Sequence, residues 1–150
     1  MDSLRIDNGL KKIEVNDAGE YIEFSVLNND FFRGFSELMQ WFDEQNTQGS
    51  IKEMEEQAGK VVSGNGDEIN HEALNNVLDI RDKVSKEACG KIDNIFGNEA
   101  SRKIFCGIVP DMYSIAEFFE KIAPIIEKYA KERNQAISKK YSKNRKGAKS

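Results

Sequence analysis

The chain has 150 residues, 32% of them charged and 39% hydrophobic, with a formal net charge of −4, which is enough for one domain with its own core and too little for two. A lone histidine, His71, and two cysteines 17 positions apart, Cys89 and Cys106, do not supply the spacing of a zinc site or a metalloprotease helix, so neither metal nor cofactor is expected. The longest apolar run, Ile104–Val109, is interrupted at Cys106-Gly107 and falls far short of the ~20 residues that span a bilayer.

Met1-Asp2-Ser3-Leu4-Arg5 shows no basic leader followed by an apolar stretch, so a secretory signal is not expected, and both cysteines read as reduced thiols in core or interface positions. Charge is distributed unevenly: residues 128–150 hold nine Lys or Arg and one acid, Glu132, whereas residues 1–127 hold 13 basic and 25 acidic residues. A basic end of this kind suits phosphate, an acidic partner or simple solubility, and composition does not choose among them.

Along the chain, Ile13 and Val15, then Ile22, Phe24 and Val26, alternate with polar residues around Asn16-Asp17-Ala18-Gly19. Period-two alternation about a stretch that tolerates left-handed backbone predicts a β-hairpin within residues 1–28. Leu4-Arg5-Ile6-Asp7, followed by Asn8-Gly9, is the candidate for a third short strand. Two strands alone are marginal in water, so the hairpin is expected to lean on helices or on another chain.

From Asp30, placed as an N-cap, the period becomes helical: Phe31, Phe35, Leu38 and Phe42 mark a first helix over about 30–45. Asn46-Thr47-Gln48-Gly49 stops it, and Ile51, Met54, Ala58 and Val61 mark a second run over 50–62, the pair being read alternatively as one interrupted helix. Ser63-Gly64-Asn65-Gly66-Asp67 is the clearest loop. Its Gly-Asn-Gly is followed by Ile69 where a phosphate-binding fingerprint has glycine, and no buried strand precedes it, so no nucleotide site is expected. A long helix over about 70–96 carries Leu74, Val77, Leu78, Val84, Ala88, Ile92 and Ile95 on one face, with His71 as a surface residue of its first turn, and ends at Gly97. A short helical turn follows as far as Phe105.

The last helix starts either at Asp111 or at Ser114, whose spacing to Glu117 is that of a capping box. Ile115, Phe118, Phe119, Ile122, Ile125, Ile126, Tyr129 and Ala130 give it a broad apolar face, with a kink expected near Pro124. A face this wide serves core packing, or additionally a partner or a second copy. Beyond Ile137 the sequence is lysine-rich and almost without apolar residues, which predicts a flexible basic tail over 138–150. Tyr141 alone makes no stacking platform, so nucleic-acid binding is not expected.

Three segments occur together in one order: Lys11-Lys12-Ile13-Glu14-Val15-Asn16-Asp17-Ala18-Gly19-Glu20-Tyr21-Ile22; Ile95-Phe96-Gly97-Asn98-Glu99-Ala100-Ser101-Arg102-Lys103-Ile104-Phe105; and Glu117-Phe118-Phe119-Glu120-Lys121-Ile122-Ala123-Pro124-Ile125-Ile126-Glu127-Lys128-Tyr129 with the basic residues after it. This pattern resembles the small tail assembly chaperones of long-tailed bacteriophages and prophages of Gram-positive bacteria. Cys106, where that pattern would have glycine or a polar residue, and the Gly-Asn-Gly loop depart from it. The resemblance implies a protein of the bacterial host cytoplasm that binds the phage tape-measure protein, helps recruit major tail-tube protein around it, and leaves before the particle is complete. It also implies a possible longer form made by frameshifting near Lys146-Gly147.

The fold class expected is α+β, mostly α: a single helical domain over 1–137 with an N-terminal hairpin in 1–28, three to four helices, and a basic tail. Apolar excess makes Phe96, Phe105, Phe118, Phe119, Ile122, Ile126 and Tyr129 the candidate partner-binding residues, with the tape-measure protein, the tail-tube protein and a second copy as partners. No membrane partner is expected. The carboxylate runs Glu53, Glu55, Glu56 and Asp67, Glu68 read as solvated helix faces, so no catalytic residue and no enzymatic activity are expected. A structural adaptor that stays in the phage particle is the alternative.

Overall fold

A computed structural model describes the backbone of residues 1–62 and 68–149, with side chains as far as Ser142. The hairpin forms as the alternation predicts. β1 (Leu10–Glu14) pairs antiparallel with β2 (Tyr21–Ser25) in the register Lys12↔Glu23, Ile13↔Ile22. Asn16 organises the turn between them, its Oδ1 accepting the N–H groups of Ala18 and Glu20, with Gly19 at φ +80°. Among the described residues the sheet has two strands, so the third strand expected over Leu4–Asp7 does not form. Gly9 stays paired with Val26 through its carbonyl, the Asn8 carbonyl accepts the Ser25 hydroxyl, and Asp7 lies 3.4 Å from Arg133. The chain therefore leaves the sheet instead of folding back onto it.

Among the described residues five helical segments follow: α1 (Asn29–Thr47), α2 (Ser50–Ala58), α3 (His71–Phe96), α4 (Ala100–Ile104) and α5 (Met112–Lys149). The cap of α1 is Asn28 rather than Asp30, because the Asn28 side chain accepts from the Asp30 N–H, leaving Asp30 in the first turn where the helix dipole favours an acid. Gln48-Gly49 separates α1 and α2, so they are two helices, and α2 stops at Gly59, short of Val62. The Ser63–Asp67 loop lies outside the described residues. Asn70 caps α3 by accepting from the Ala73 N–H, and His71 is exposed in the first turn.

Of the two starts open for α5, the upstream one holds. Asp111 Oδ1 accepts the Ser114 N–H at 2.8 Å, so the Ser114–Glu117 capping box is not used. Pro124 sits inside α5 on its exposed side, where the lost hydrogen bond can be made good by water. The backbone of residues 138–149, read from sequence as a flexible tail, continues α5, in keeping with the helix propensity of lysine, arginine and alanine. At 38 residues the helix is roughly 57 Å long at 1.5 Å per residue. Its last buried position is Ile126.

One aromatic-rich core joins the hairpin, α1, α3 and α5. Phe96, at the end of α3, is its hub. It meets Phe24, Phe31, Phe35 and Phe118 edge-on, with ring centroids 5.4–6.4 Å apart, the geometry that the ring quadrupole favours. Phe24 and Phe31 stack at 4.9 Å, tying β2 to α1. α2 packs on α3 away from this cluster, burying Ile51.

Candidate partner-binding groove

The described surface carries a mainly apolar groove of about 610 Å³. Ile13 on β1 and Val15 just beyond it form one margin. Ile104, Phe105, Cys106, Ile108 and Pro110 form the opposite wall, and Phe118, Ile122 and Ile125 on α5 supply the floor. Glu117 and Lys121 bridge on the rim at 2.8 Å, and the Glu117 carboxylate raises the Lys121 pKa above its usual value by hydrogen bonding to the charged amine.

Local backbone chemistry builds the wall. α4 is entered through Gly97 (φ +103°) and Glu99 (φ +67°), and left through Cys106 (φ +55°) and Gly107 (φ +77°). The Gly107 N–H reaches back to the Arg102 carbonyl and the Phe105 N–H to that of Ser101, a left-handed closure that ends the helix and turns the chain toward α5. Ile108, which lines the groove, is left 72% exposed, and Val109 after it 42% exposed.

The hairpin is fastened to this wall. Arg102 donates to Glu20 at 2.8 Å, and Asn16 Nδ2 donates to the Lys103 carbonyl at 3.1 Å. The Arg102 hydrogen bond holds the Glu20 carboxyl below its ordinary range, while Asp111 is lowered by the Ser114 N–H that it caps. At the other end, Ser85, fully buried on α3, donates to the Pro110 carbonyl.

Of the seven residues expected to meet a partner, Phe96, Phe118, Phe119, Ile122 and Ile126 are buried, while Phe105 and Tyr129 are half-buried. Most of the breadth read as surplus on the last helix is consumed by packing against the hairpin and α1. Only Phe105, Phe118 and Ile122 also line the groove; Phe96, Phe119, Ile126 and Tyr129 do not. Ile108 and Ile125 line the groove and are not among those seven, whereas the hairpin beside it is already expected from sequence to lean on helices or on another chain. The signal for Ile108 was its place in an apolar run that no helical or strand period accommodates.

Cys89 is half-buried, and burial pushes its thiol pKa up, whereas Cys106 is exposed and not in the core. Among the described residues there is no group of three or more His, Cys, Asp or Glu side chains placed to hold a metal ion, and no helix long and apolar enough to cross a membrane.

Residues 18–150 match the model of a family of unknown function, DUF6673, so the chain belongs to that family. No curated protein and no solved structure matches it.

Proposed function

We propose that this DUF6673 member is a non-catalytic tail assembly chaperone of a phage or prophage, acting in the host cytoplasm. It binds the tape-measure protein, holds that long helical polypeptide in solution and helps bring major tail-tube subunits to it. The observation that carries this reading is the groove between β1, residues 104–110 and α5, whose floor and wall include Phe105, Phe118 and Ile122. An amphipathic client helix laid in such a groove buries anchors spaced three and four residues apart, while the charged rim stays wet. The sequence resemblance supplies the client's identity, and the acidic body with its basic helical end keeps such a complex soluble.

The reading is tested by co-expressing the chain with the tape-measure protein of the same genome, then measuring client solubility and co-purification. The expected result is a client that is soluble only when the chain is present, with both proteins recovered in one complex and the chain missing from finished particles. A client whose solubility does not change, with the chain recovered in purified particles, would overturn it in favour of a structural adaptor.

A further inference from the structure

The N-terminal arm has the alternation of a strand, yet apart from Asp7, which meets Arg133 and the Gly9 N–H, the fold leaves it uncovered. Leu4 and Ile6 are 86% and 81% exposed. Beside the groove, meanwhile, runs a strand edge with open backbone groups. Val26 N–H bonds the Gly9 carbonyl and Val15 N–H bonds the Glu20 carbonyl. Gly9, Lys11, Ile13 and Val15 therefore turn their backbone groups toward β2, and Lys12 and Glu14 turn theirs outward. An open edge next to apolar surface is a template for another strand.

The arm does not take that place in its own molecule, and charge opposes its doing so. A two-residue turn at Asn8-Gly9 would set Arg5 opposite Lys12 and Ile6 opposite Lys11, a like-charge pair beside a mismatched one. Supplied by a second molecule, the arm is free of the register that this turn imposes. We propose that Leu4–Asp7 of one copy adds as a third, antiparallel strand to the β1 edge of a second copy. The register sets Asp7 against Lys12, Ile6 against Ile13, Arg5 against Glu14, and Leu4 against Val15. It gives two opposite-charge pairs on the exposed face and two apolar pairs on the face that carries Ile13 and Val15, at the groove margin. The occupant is argued from this complementarity: a shift of one residue in either direction destroys both apolar pairs and leaves at most one charge pair, Asp7 against Lys11. Reciprocal exchange of two arms closes a symmetric dimer.

The proposal does not rest on the chaperone reading, because it is tested on the purified chain with no client present. Sedimentation over a concentration series is expected to show a monomer–dimer equilibrium that is lost when residues 1–7 are deleted, with circular dichroism unchanged. Arg5→Glu and Glu14→Arg are each expected to raise the dimer dissociation constant about threefold or more, and the double variant to return to within about twofold of the original. A chain that stays monomeric up to about 1 mM, roughly 4 kcal/mol of association, would overturn the proposal. So would a truncated chain that associates as the full one does, or a double variant no better than the single ones.

Discussion

The hydroxyl of Ser85, at the middle of α3 and fully enclosed, donates to the carbonyl of Pro110, immediately before the Asp111 cap of α5, at 2.6 Å. This bond fixes where the last helix enters the molecule. Ser85→Ala leaves a carbonyl without its donor in a place with no room for compensation, and is expected to cost about 1–3 kcal/mol. Thermal melts would read this as a Tm lower by roughly 2–4 °C per kcal/mol for a domain of this size. An unchanged Tm would mean that the bond contributes nothing net.

Cys106 occupies left-handed backbone at φ +55°, followed by Gly107 at φ +77°. A side chain in that region meets the steric penalty that glycine escapes, about 1 kcal/mol. Because Cys106 is exposed and its side chain is not part of the core, Cys106→Gly is expected to stabilise the protein by several tenths of a kcal/mol net of the added chain entropy. Cys106→Val, branched at Cβ, is expected to destabilise it. Denaturant titration of both variants measures the sign, and a stabilising valine would contradict the backbone argument. The departure of this position from the chaperone pattern, which has glycine or a polar residue there, thus falls where the backbone itself asks for one.

Glu20 and Asp111 both have pKa values lowered in the folded chain, the first chiefly by its hydrogen bond from Arg102 and the second by the Ser114 N–H. The unfolded chain therefore binds more protons than the folded one as the pH approaches the ordinary carboxylate range, about 4. The stability contributed is complete above that range and is lost as the pH falls through the lowered folded values. Unfolding free energy should be flat between about pH 6 and 8 from these groups and decline below about 4.5. Glu20→Gln and Asp111→Asn should each make the decline shallower, which urea titrations across pH 3–6 would measure. Because both sites are solvated, the Glu20 contribution is expected to shrink in high salt.

Rim and floor of the groove should separate in mutagenesis. Phe118→Ala removes a core ring packed edge-on against Phe96 and Phe105 and is expected to cost about 3–5 kcal/mol, losing client together with fold. Ile108→Asp changes a side chain that is 72% exposed and is expected to leave Tm within about 1 °C while weakening client capture at least tenfold. Pull-down with Ile108→Asp at full strength would move the client site elsewhere. If the arm and the client share the β1 margin, deleting residues 1–7 should tighten client capture, not loosen it.

Much of this arrangement is legible from residue order. Alternation around Asn16–Gly19 points to the hairpin, helical spacing locates α1, α2, α3 and α5 as far as Ile137 but not its lysine-rich end, and the α+β class follows from the two together. The missing third strand was not legible from Leu4–Asp7 alone, because a tight turn would set Arg5 across from Lys12, and Asp7 is drawn instead to the Gly9 N–H and to Arg133. The candidate contact residues failed in a related way. A broad apolar face on α5 announces burial, but whether its burial partner is the hairpin or another protein depends on distances that spacing along one helix does not contain. Ile108 and Ile125 gain their place in the groove only when β1 comes alongside.

The core is shared between the earliest and the latest parts of the chain: Ile22 and Phe24 from the hairpin close against Phe118, Ile122 and Ile126 of α5. During synthesis the cluster of Phe24, Phe31, Phe35 and Phe96 can gather early, but the side that meets Phe118 and Phe119 stays open until the ribosome has passed α5. The hairpin's contacts with α5, such as Phe24 against Tyr129, join residues far apart in the chain and come with the slow search that distant pairing entails. A nascent chain stalled before α5 should be a target for the host's own folding assistants.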